Sequence, residues 1–320
     1  MKKHLVLIMA GIAIVSVHAS FTGNGPTNKA ELGKLLFFDP ILSRDKSISC
    51  ASCHKPEFAF ADTSAVSVGV GGAKGARNTP SSMNLSLQRS FFWDGRAKSL
   101  EEQALAPIEN PAEMDLPVGE ALLRLRKSSE YSSYFKNIFN SEPTRSNLAE
   151  ALAAFERTQE TSDSPFDRWK FSDDSSAVSN AAKKGFALFN GKAKCIQCHF
   201  GADFTTNEFR NIGLFNGREL NDSGRAIVSG KVDETGRFKV PSLRNIAITA
   251  PYMHNGMFKT LKQVIDFYDD PGKIIPNSIQ RDSLLAKPMG LTEQEKNDLE
   301  AFLLTLTDKR FALQAPIQPH

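Results

Sequence analysis

The sequence is poor in cysteine, histidine, tryptophan and tyrosine, and its 39 basic residues are nearly balanced by 36 acidic ones. Among its 320 residues are four cysteines, six histidines, two tryptophans and four tyrosines, and the formal net charge is only +3. So few cysteines exclude a disulfide-rich scaffold. Without a clustered basic face, the chain is not expected to bind nucleic acid. Beyond the N-terminal region, no apolar run is long enough to span a membrane.

All four cysteines fall in two copies of one short motif. Cys50-Ala-Ser-Cys53-His54 and Cys195-Ile-Gln-Cys198-His199 both read C-x-x-C-H, the peptide to which a c-type haem is covalently attached. The histidine is then placed to bind the iron. A disulfide in each copy would not explain the histidine that follows, and a zinc site would lack its usual second ligand pair at short spacing. The motif therefore favours two covalently bound c-type haems over these two alternatives.

The first twenty residues have the pattern of a signal peptide. Lys2 and Lys3 precede an apolar run from 5 to 17, and small residues at Val17 and Ala19 suit a signal peptidase. We expect cleavage near Ala19. An uncleaved membrane anchor is the alternative, although the run is short for a span. Since covalent attachment of c-type haem takes place outside the cytoplasm in bacteria, the sequence predicts a periplasmic protein.

Helical patterns repeat in the same order around the two haem peptides. Segments Lys29 to Phe38 and Ala181 to Phe189 have helical apolar spacing, and each precedes a haem peptide. Closing helices are predicted to open at Asn147-x-x-Glu150 and at Thr292-x-x-Glu295, both of which match a capping box. Helix, haem peptide, loop and closing helix is the order of a small cytochrome c domain.

We therefore predict a mainly α fold of two fused cytochrome c-like helical domains, each with one covalent c-type haem. The length of the chain also suits two core-forming units. A segment rich in serine and aspartate between 161 and 179 marks the junction. The predicted parts are a signal peptide (1–20), an N-terminal domain (21–164) and a C-terminal domain (165–320).

Histidine is scarce enough to limit how the irons can be coordinated. Two of the six lie in the leader, two belong to the haem peptides and one is the last residue, which leaves His254 as the interior candidate. At most one iron can therefore have two histidine ligands. An iron with an open position does chemistry, whereas an iron with both positions filled carries electrons.

Further motifs, in order along nearly all of the mature chain, resemble those of the bacterial dihaem cytochrome c peroxidases. The dihaem enzymes of the MauG type share the same frame. Besides the two haem peptides, the matching motifs are Leu36-Phe-Phe-Asp-Pro40, Arg77-Asn-Thr-Pro80, Phe92-Trp-Asp-Gly-Arg96, Leu100-Glu-Glu-Gln103, Glu113-Met114, Phe155-Glu-Arg157, Ser164-Pro-Phe-Asp167, Phe238-Lys-Val-Pro-Ser-Leu-Arg-Asn245 and Thr249-Ala-Pro-Tyr-Met-His254.

The resemblance implies a division of labour between the haems. The haem on His54 is expected to react with peroxide, and the haem on His199 to receive electrons. Trp93 matches the tryptophan that lies between the two haems in this family. Gln103 and Glu113 match its distal-pocket pair, in which a carboxylate can carry a proton between the peroxide oxygens and a neutral amide can hold the bound oxygen.

The resemblance also implies a calcium ion between the domains. Asn78, Thr249 and Pro251 match its ligands, the last two through their carbonyl oxygens, which are donors that calcium accepts readily. The sequence contains no carboxylate cluster that would itself demand a calcium ion. Arg77 and Arg244 are candidate partners for the haem propionates, and a solvated arginine is the alternative for each.

Two departures from the peroxidases bear on mechanism. Many of them carry a histidine in the loop after the first haem peptide, but residues 55–96 contain none, so the first iron is expected to be open without prior reduction. Where the peroxidases place a methionine ligand on the second haem, this chain has Tyr268, as the MauG-type enzymes do. A phenolate stabilises ferric iron. Met253, Met257 and Met289 remain alternative ligands.

We therefore expect a dihaem cytochrome c peroxidase that reduces hydrogen peroxide to water. Its electrons would come from a small periplasmic donor protein, either a cytochrome c or a cupredoxin. One alternative is a MauG-like oxidase that acts on a partner protein. Another is a non-catalytic dihaem electron carrier, which would need both irons six-coordinate. Family members are often dimers, so the resemblance leaves a homodimer open.

Overall fold

The structure, a computed structural model, describes residues 25–314, and the predicted signal peptide lies outside these residues. None of the described helices is long and apolar enough to cross a membrane. The α-helices are α1 (Lys29–Phe38), α2 (Cys50–Cys53), α3 (Leu100–Glu109), α4 (Val118–Lys127), α5 (Ser129–Phe139), α6 (Arg145–Glu156), α7 (Pro165–Phe171), α8 (Asn180–Asn190), α9 (Arg225–Ser229), α10 (Leu261–Asp269), α11 (Pro271–Ile274) and α12 (Glu293–Leu304), and two short antiparallel strands are β1 (Phe209–Arg210) and β2 (Phe238–Lys239).

Helices α1 and α6 cross where a glycine lets their backbones meet. A Cβ atom added at Gly33 would lie 1.8 Å from the carbonyl oxygen of Ala151 and 3.0 Å from Cβ of Phe155. Real side chains never come this close to a backbone oxygen, so only glycine permits the crossing. The crossing places α1, and the haem peptide that follows it, against the closing helix of the N-terminal half.

Helices α8 and α12 repeat this crossing in the C-terminal half. A Cβ atom at Gly185 would lie 1.9 Å from the carbonyl oxygen of Asp298 and 2.8 Å from Cβ of Phe302. Phe302 thus occupies the place that Phe155 has in the first pair. The mainly α fold with two cytochrome c-like units is confirmed.

The predicted helix boundaries are mostly right. Helix α1 has the predicted bounds, α8 is one residue longer at each end, and Thr292 caps α12 as expected. The prediction that Asn147 opens α6 is wrong. Thr144 is the cap, because its hydroxyl accepts the Asn147 N–H at 3.3 Å while the Asn147 side chain accepts the Thr144 N–H at 2.7 Å. Asn147 is therefore the reciprocal partner in the capping box and not the cap.

Two hydrophobic cores follow the two halves of the chain. The first contains buried side chains from α1, α3, α4, α5 and α6, and the second contains those of α8, α10 and α12. Ile248 and Phe311, from the C-terminal half, pack into the first core. Because side chains of the C-terminal half contribute to the first core, the division between residues 164 and 165 stays a prediction.

The two halves also meet at the loop that carries Trp93. The backbone N–H of Lys239, in β2, donates to the Trp93 carbonyl oxygen at 2.7 Å. The Arg225 guanidinium, on α9, donates to the carbonyl oxygen of Asp94 at 3.0 Å. The tryptophan loop of the first half is therefore held by backbone and side-chain donors of the second half.

Candidate active site: one cavity shared by two haem peptides

The first haem peptide forms a single helical turn, α2, directly before His54. The His54 Nδ1 atom lies 2.9 Å from the carbonyl oxygen of Phe60. A carbonyl can only accept, so Nδ1 carries the proton and Nε2 keeps the lone pair that a metal would use. Burial lowers the pKa of His54, which keeps the imidazole neutral and available as a ligand.

The second haem peptide has the same arrangement on a 3₁₀ turn. The Nδ1 atom of His199 lies 2.9 Å from the carbonyl oxygen of Phe204, and burial lowers the pKa of His199 to about 4. Both histidines thus point an unprotonated Nε2 atom away from the backbone partner that orients them.

The cysteines fit thioether formation better than either alternative. All four are unpaired in the structure, so the disulfide alternative is wrong. No group of three metal-binding side chains occurs among residues 25–314, which excludes the zinc alternative there. Burial raises the pKa of Cys50 and of Cys195 to about 12, so both thiols are protonated near neutral pH in the haem-free chain.

One cavity of about 1060 Å³ contacts both haem peptides. Its wall is mostly apolar, and the four cysteines and the two motif histidines lie on it, so its size and its donors fit covalent haem. The structure also brings the other predicted site residues together on this wall, namely Asn78, Trp93, Gln103, Glu113, Thr249, Pro251 and Tyr268.

Glu113 lies in the loop after α3, where the glycine-rich segment of residues 69–75 supports it. The Val70 N–H donates to the Glu113 carbonyl oxygen at 2.8 Å, and a Cβ atom at Gly69 would lie 2.3 Å from the carbonyl oxygen of Ala112. Burial raises the pKa of the Glu113 carboxyl, and the hydrogen bond from Asn110, at 2.7 Å, only partly opposes it. A raised pKa brings a carboxyl closer to a working pH near neutrality, as general acid-base chemistry requires.

Gln103 lies within α3 and also contacts the cavity. Its Oε1 atom is buried without a hydrogen-bond partner among the described residues. Buried amide oxygens are normally satisfied. This amide is therefore free to hydrogen-bond a molecule that enters the cavity.

Trp93 is fixed at both its backbone and its ring. The indole Nε1–H donates to the carbonyl oxygen of Asn78 at 2.8 Å, and the side chain lies on the cavity wall. Asn78 in turn donates its backbone N–H to the carbonyl oxygen of His254 at 2.7 Å. The tryptophan is thus held rigidly in the cavity that contains both haem peptides.

Tyr268 projects from α10 into the cavity on the side of the second haem peptide. Burial raises the pKa of its phenol, and the nearby thiols of Cys198 and Cys195 raise it further. Of the three alternative methionines, Met253 and Met289 contact the cavity. The assignment of Tyr268 as the ligand stays a prediction.

The three predicted calcium ligands lie on the same wall. The Asn78 amide group donates to the carbonyl oxygens of Ser64 and Ala65 at 3.2 and 3.3 Å, which orients its Oδ1 atom away from them. Thr249 and Pro251 present carbonyl oxygens to which no described backbone N–H donates. Three oxygen donors of this kind fit calcium chemistry.

The two arginines that were candidates for the haem propionates have protein partners. Arg77 makes two hydrogen bonds to Asp222, at 2.6 and 2.8 Å. Arg244 makes two to Asp167, at 2.8 and 3.0 Å, and both of these side chains are buried. Neither arginine is solvated, and a propionate would have to compete with these carboxylates.

Comparison with known proteins identifies the family. A family model described as dihaem cytochrome c peroxidase matches residues 27–175, and a cytochrome c model matches residues 182–307. The methylamine utilization protein MauG of Methylorubrum extorquens is 42% identical over 293 residues, which cover 91% of this chain and 81% of that protein. The chain belongs to the dihaem cytochrome c peroxidase family.

Other members of the dihaem cytochrome c peroxidase family match over similar lengths. Cytochrome c551 peroxidase of Nitrosomonas europaea is 37% identical over 293 residues, covering 91% of this chain and 83% of that protein. A crystal structure of a MauG-like protein associated with microbial copper homeostasis superimposes with a TM-score of 0.80 and 32% identity, covering 90% and 94% of the two chains. The relatives therefore carry both peroxidase and MauG names.

Membership of this family confirms the predicted haem cofactors and the oxidoreductase class. The protein is a c-type haem enzyme of the cytochrome c peroxidase type. The roles of individual side chains stay predictions.

Two charged side chains on the cavity wall were not recognised from the sequence. Glu156, the last residue of α6, follows Leu148 and Leu152 at helical spacing, so the apolar periodicity already placed it on the buried face. Lys239 lies in β2, where a two-residue strand gives no periodic signal. It is half-buried, and among the described residues its ammonium donates only to the side-chain oxygen of Gln88 and the carbonyl oxygen of Ser90.

Proposed function

We propose that the protein reduces hydrogen peroxide to water with electrons from a small periplasmic donor, a cytochrome c or a cupredoxin. One observation carries this proposal. A half-buried carboxyl with a raised pKa, Glu113, and an amide with an unsatisfied buried oxygen, Gln103, share a cavity with His54. A pure electron carrier needs no such pair. Peroxide cleavage needs both a proton carrier and a hydrogen-bonding group.

The overall reaction consumes one peroxide, two electrons and two protons, and it releases two water molecules. Cys50, Cys53 and His54 would hold a haem, and its iron would supply the binding site for peroxide. Glu113 takes the proton from the inner peroxide oxygen and gives it to the outer one. The outer oxygen therefore leaves as water when the O–O bond breaks.

Three features of the chain assist this step. The Asn110 amide holds the Glu113 carboxyl in place, at 2.7 Å. Gln103 can accept a hydrogen bond from the peroxide, because its buried Oε1 atom has no partner among the described residues. The Phe60 carbonyl oxygen accepts a hydrogen bond from the Nδ1–H of His54, which orients the imidazole and increases the basicity of its Nε2 atom.

Electrons are proposed to arrive through the C-terminal half. Cys195, Cys198 and His199 would hold the haem that receives them, and Tyr268 would supply a further ligand to its iron. Trp93, fixed on the wall of the shared cavity, is proposed to conduct them toward the first haem. A phenolate ligand favours ferric iron, so the second haem is proposed to have a low potential.

Two further proposals concern cofactor and location. A calcium ion is proposed at Asn78, Thr249 and Pro251, where free oxygen donors from both halves lie together on the cavity wall. Chelation should then lower the thermal stability of the holoprotein. Export to the periplasm is supported by the signal-peptide pattern of residues 1–20 and by the covalent attachment of haem.

A second candidate function is a MauG-like oxidase that acts on a partner protein. Tyr268 in the cavity beside the second haem peptide favours this function, as does the 42% identity to a MauG protein. The electron-carrier alternative would require a side chain of the cavity wall, such as His254, Met83 or Met114, to fill the remaining position on the first iron.

The experiment is a peroxide assay on the purified holoprotein with a reduced small cytochrome c as donor. The denatured chain should carry the mass of two haems. His54→Gly should abolish peroxide consumption and leave the spectrum of the second haem in place. His199→Gly should still react with peroxide once but should not take up electrons from the donor. Peroxide consumption that survives His54→Gly would contradict the proposal, and donor-dependent turnover that is absent in the wild type would favour the MauG-like function.

A further inference from the structure

Glu156 is a buried acid in the active-site cavity that the proposed reaction has not yet used. Its side chain lies on the cavity wall and is 6% exposed. The Oε2 atom is fully enclosed and has no hydrogen-bond partner among the described residues. An unpaired buried carboxyl is destabilising. Packing alone therefore gives no reason for it to be there.

The internal repeat shows which residue the fold accepts at this position. The two helix crossings align Phe155 with Phe302, since each phenylalanine packs under the glycine of the partner helix. Three residues later the alignment pairs Thr158 with Thr305, and each threonine hydroxyl donates to the carbonyl oxygen of its phenylalanine at 2.6 Å. The ends of α6 and α12 thus have the same local structure.

In this alignment Leu303 stands where Glu156 does. Leu303 is buried in the second core. The fold therefore accepts a leucine at the end of the closing helix. Of these two positions, only the one in the half with Glu113 and Gln103 carries a carboxyl. The fold does not require this carboxyl, so we connect it with the peroxide chemistry of that half.

The surroundings of Glu156 keep its carboxyl protonated. Burial raises the pKa of Glu156 to about 8. The neighbouring charge of Arg157 lowers this pKa, and that of Glu101 on α3 raises it. Those two charges pair with each other at 2.7 Å. Helix α1 faces the buried side of α6 with Gly33 and uncharged side chains, and its Lys29 pairs with Glu150 on the exposed side of α6. The nearby sulfur of Cys50, on α2, carries no charge once it is bound to a haem as a thioether. Near neutral pH, Glu156 thus holds a proton that no protein group accepts.

We propose that Glu156 supplies one of the two protons consumed in each cycle of peroxide reduction. This inference rests on the proposed function. Glu113 only moves a proton from one peroxide oxygen to the other. The remaining oxygen atom must still take up two electrons from the donor protein and two protons before it leaves as the second water. Glu156 gives up one of these protons and regains it from solvent.

The test compares three variants of the holoprotein. Glu156→Gln removes the proton and keeps the volume, while Glu156→Leu copies the second half and keeps the packing if the amide disturbs it. Glu150→Gln makes the same chemical change on the exposed face of the same helix, where Glu150 pairs with Lys29, and serves as the control. Haem content and thermal unfolding are recorded for each.

The two stages of turnover, the reaction with peroxide and the later reduction by the donor, should respond differently to the Glu156 variants. The spectral change on mixing with peroxide needs only the Glu113 shuttle, so it should keep its rate in both Glu156 variants. Steady-state kcat should fall by roughly a hundredfold, a typical contribution of general acid-base assistance. The decline of wild-type kcat above a pH of about 8 should also disappear, since it reports loss of the Glu156 proton. The Glu150→Gln variant should keep the wild-type kcat and pH profile.

An infrared spectrum gives a readout independent of turnover. The band of a protonated carboxyl, which shifts in D₂O, should be lost in Glu156→Gln and kept in Glu150→Gln. If both Glu156 variants match Glu150→Gln in kcat and pH profile, the inference is overturned while the proposed function stands. A wild-type protein that consumes no peroxide would instead overturn the proposed function itself.

Discussion

Lys239 donates its backbone N–H to the carbonyl oxygen of Trp93 at 2.7 Å, so a strand of the C-terminal half fixes the tryptophan loop of the N-terminal half. The same residue turns its side chain toward the cavity that contains both haem peptides. The ammonium has no carboxylate partner among the described residues, and it donates to two neutral oxygens. Trp93 is thus held beside an uncompensated positive charge.

Replacing Lys239 with methionine should lower the midpoint potential of the haem nearest to it. A half-buried positive charge favours the reduced haem, and for an assumed separation of about 10 Å and an effective dielectric constant of about 20 its loss would amount to tens of millivolts. Lys194→Met, which removes an exposed lysine from the rim of the same cavity, should shift the potential less because water screens it.

The shift should also depend on pH. Burial lowers the pKa of Lys239 to about 8, so the ammonium is present below this value and lost above it. The difference between the wild type and Lys239→Met should therefore narrow as the pH rises through this range. Equal potentials at neutral pH would show that the charge does not act on either haem.

Replacing Glu113 with glutamine should slow the reaction with peroxide by about a hundredfold to ten-thousandfold, because the amide cannot carry a proton. Only the ionised carboxylate accepts one. Since burial raises the pKa of Glu113, the wild-type rate should rise with pH through a limb that the variant lacks. Glu109→Gln, at the exposed end of α3 where Glu109 pairs with Arg145, is the matched control. Full activity of Glu113→Gln would remove Glu113 from the mechanism.

Replacing Tyr268 with methionine should raise the potential of the second haem by on the order of a few hundred millivolts, because a thioether favours ferrous iron and a phenolate does not. The visible spectrum of that haem should change as well. Met289→Leu is the comparison, since Met289 also contacts the cavity. If Met289→Leu changes the spectrum and Tyr268→Met does not, Met289 is the ligand and Tyr268 is a packing residue.

Replacing Arg244 with methionine should destabilise the protein by about 3–5 kcal/mol, because it leaves the Asp167 carboxylate buried without its partner. Lys29→Met breaks an exposed pair with Glu150 and should cost about 1 kcal/mol or less. Urea unfolding at neutral pH measures both. Equal losses would mean that the buried pair contributes no more than the exposed one.

The loss of stability caused by Arg244→Met should become smaller as the pH is lowered. Although burial raises the pKa of Asp167, the hydrogen bonds from Arg244 and Ser164 hold it below its usual value. The stability that Asp167 gains from its depressed pKa is fully present above its pKa in the unfolded chain, near 4. It is lost as the pH falls through the lower pKa of Asp167 in the folded protein. The difference between the wild type and the variant should therefore decline below about pH 4.

The parts that could be predicted from the sequence are those fixed by short spacings. The C-x-x-C-H peptides place thiols and imidazole within five residues, and Asp39-Pro40 ends α1 where expected. The prediction that Asn147 caps α6 is wrong because Thr144 and Asn147 can each be read from the sequence as the first residue of a capping box. The hydrogen bonds of the folded turn show that Thr144 is the cap.

What could not be predicted depends on distant partners. The sequence made Arg244 a candidate partner for a haem propionate, whereas its carboxylate partner in the structure is Asp167, 77 residues away. The burial of Glu156 was visible in the spacing of α6, but its lack of a hydrogen bond follows from how α3 and α6 enclose the cavity. The helical periodicity reports which face is buried and not which polar atoms find partners there.

The central claim is that the first haem is open to peroxide in the resting, fully oxidised protein. The absence of histidine between residues 55 and 96, together with the unpaired groups of Gln103 and Glu156 on the cavity wall, leads to this claim. The decisive measurement is to mix hydrogen peroxide with the fully oxidised protein, without any donor, and to follow the haem spectrum. Our proposal predicts an immediate change that Glu113→Gln slows; a protein that stays inert until one electron is added would contradict it, and His254 would then be the first group to test as a ligand.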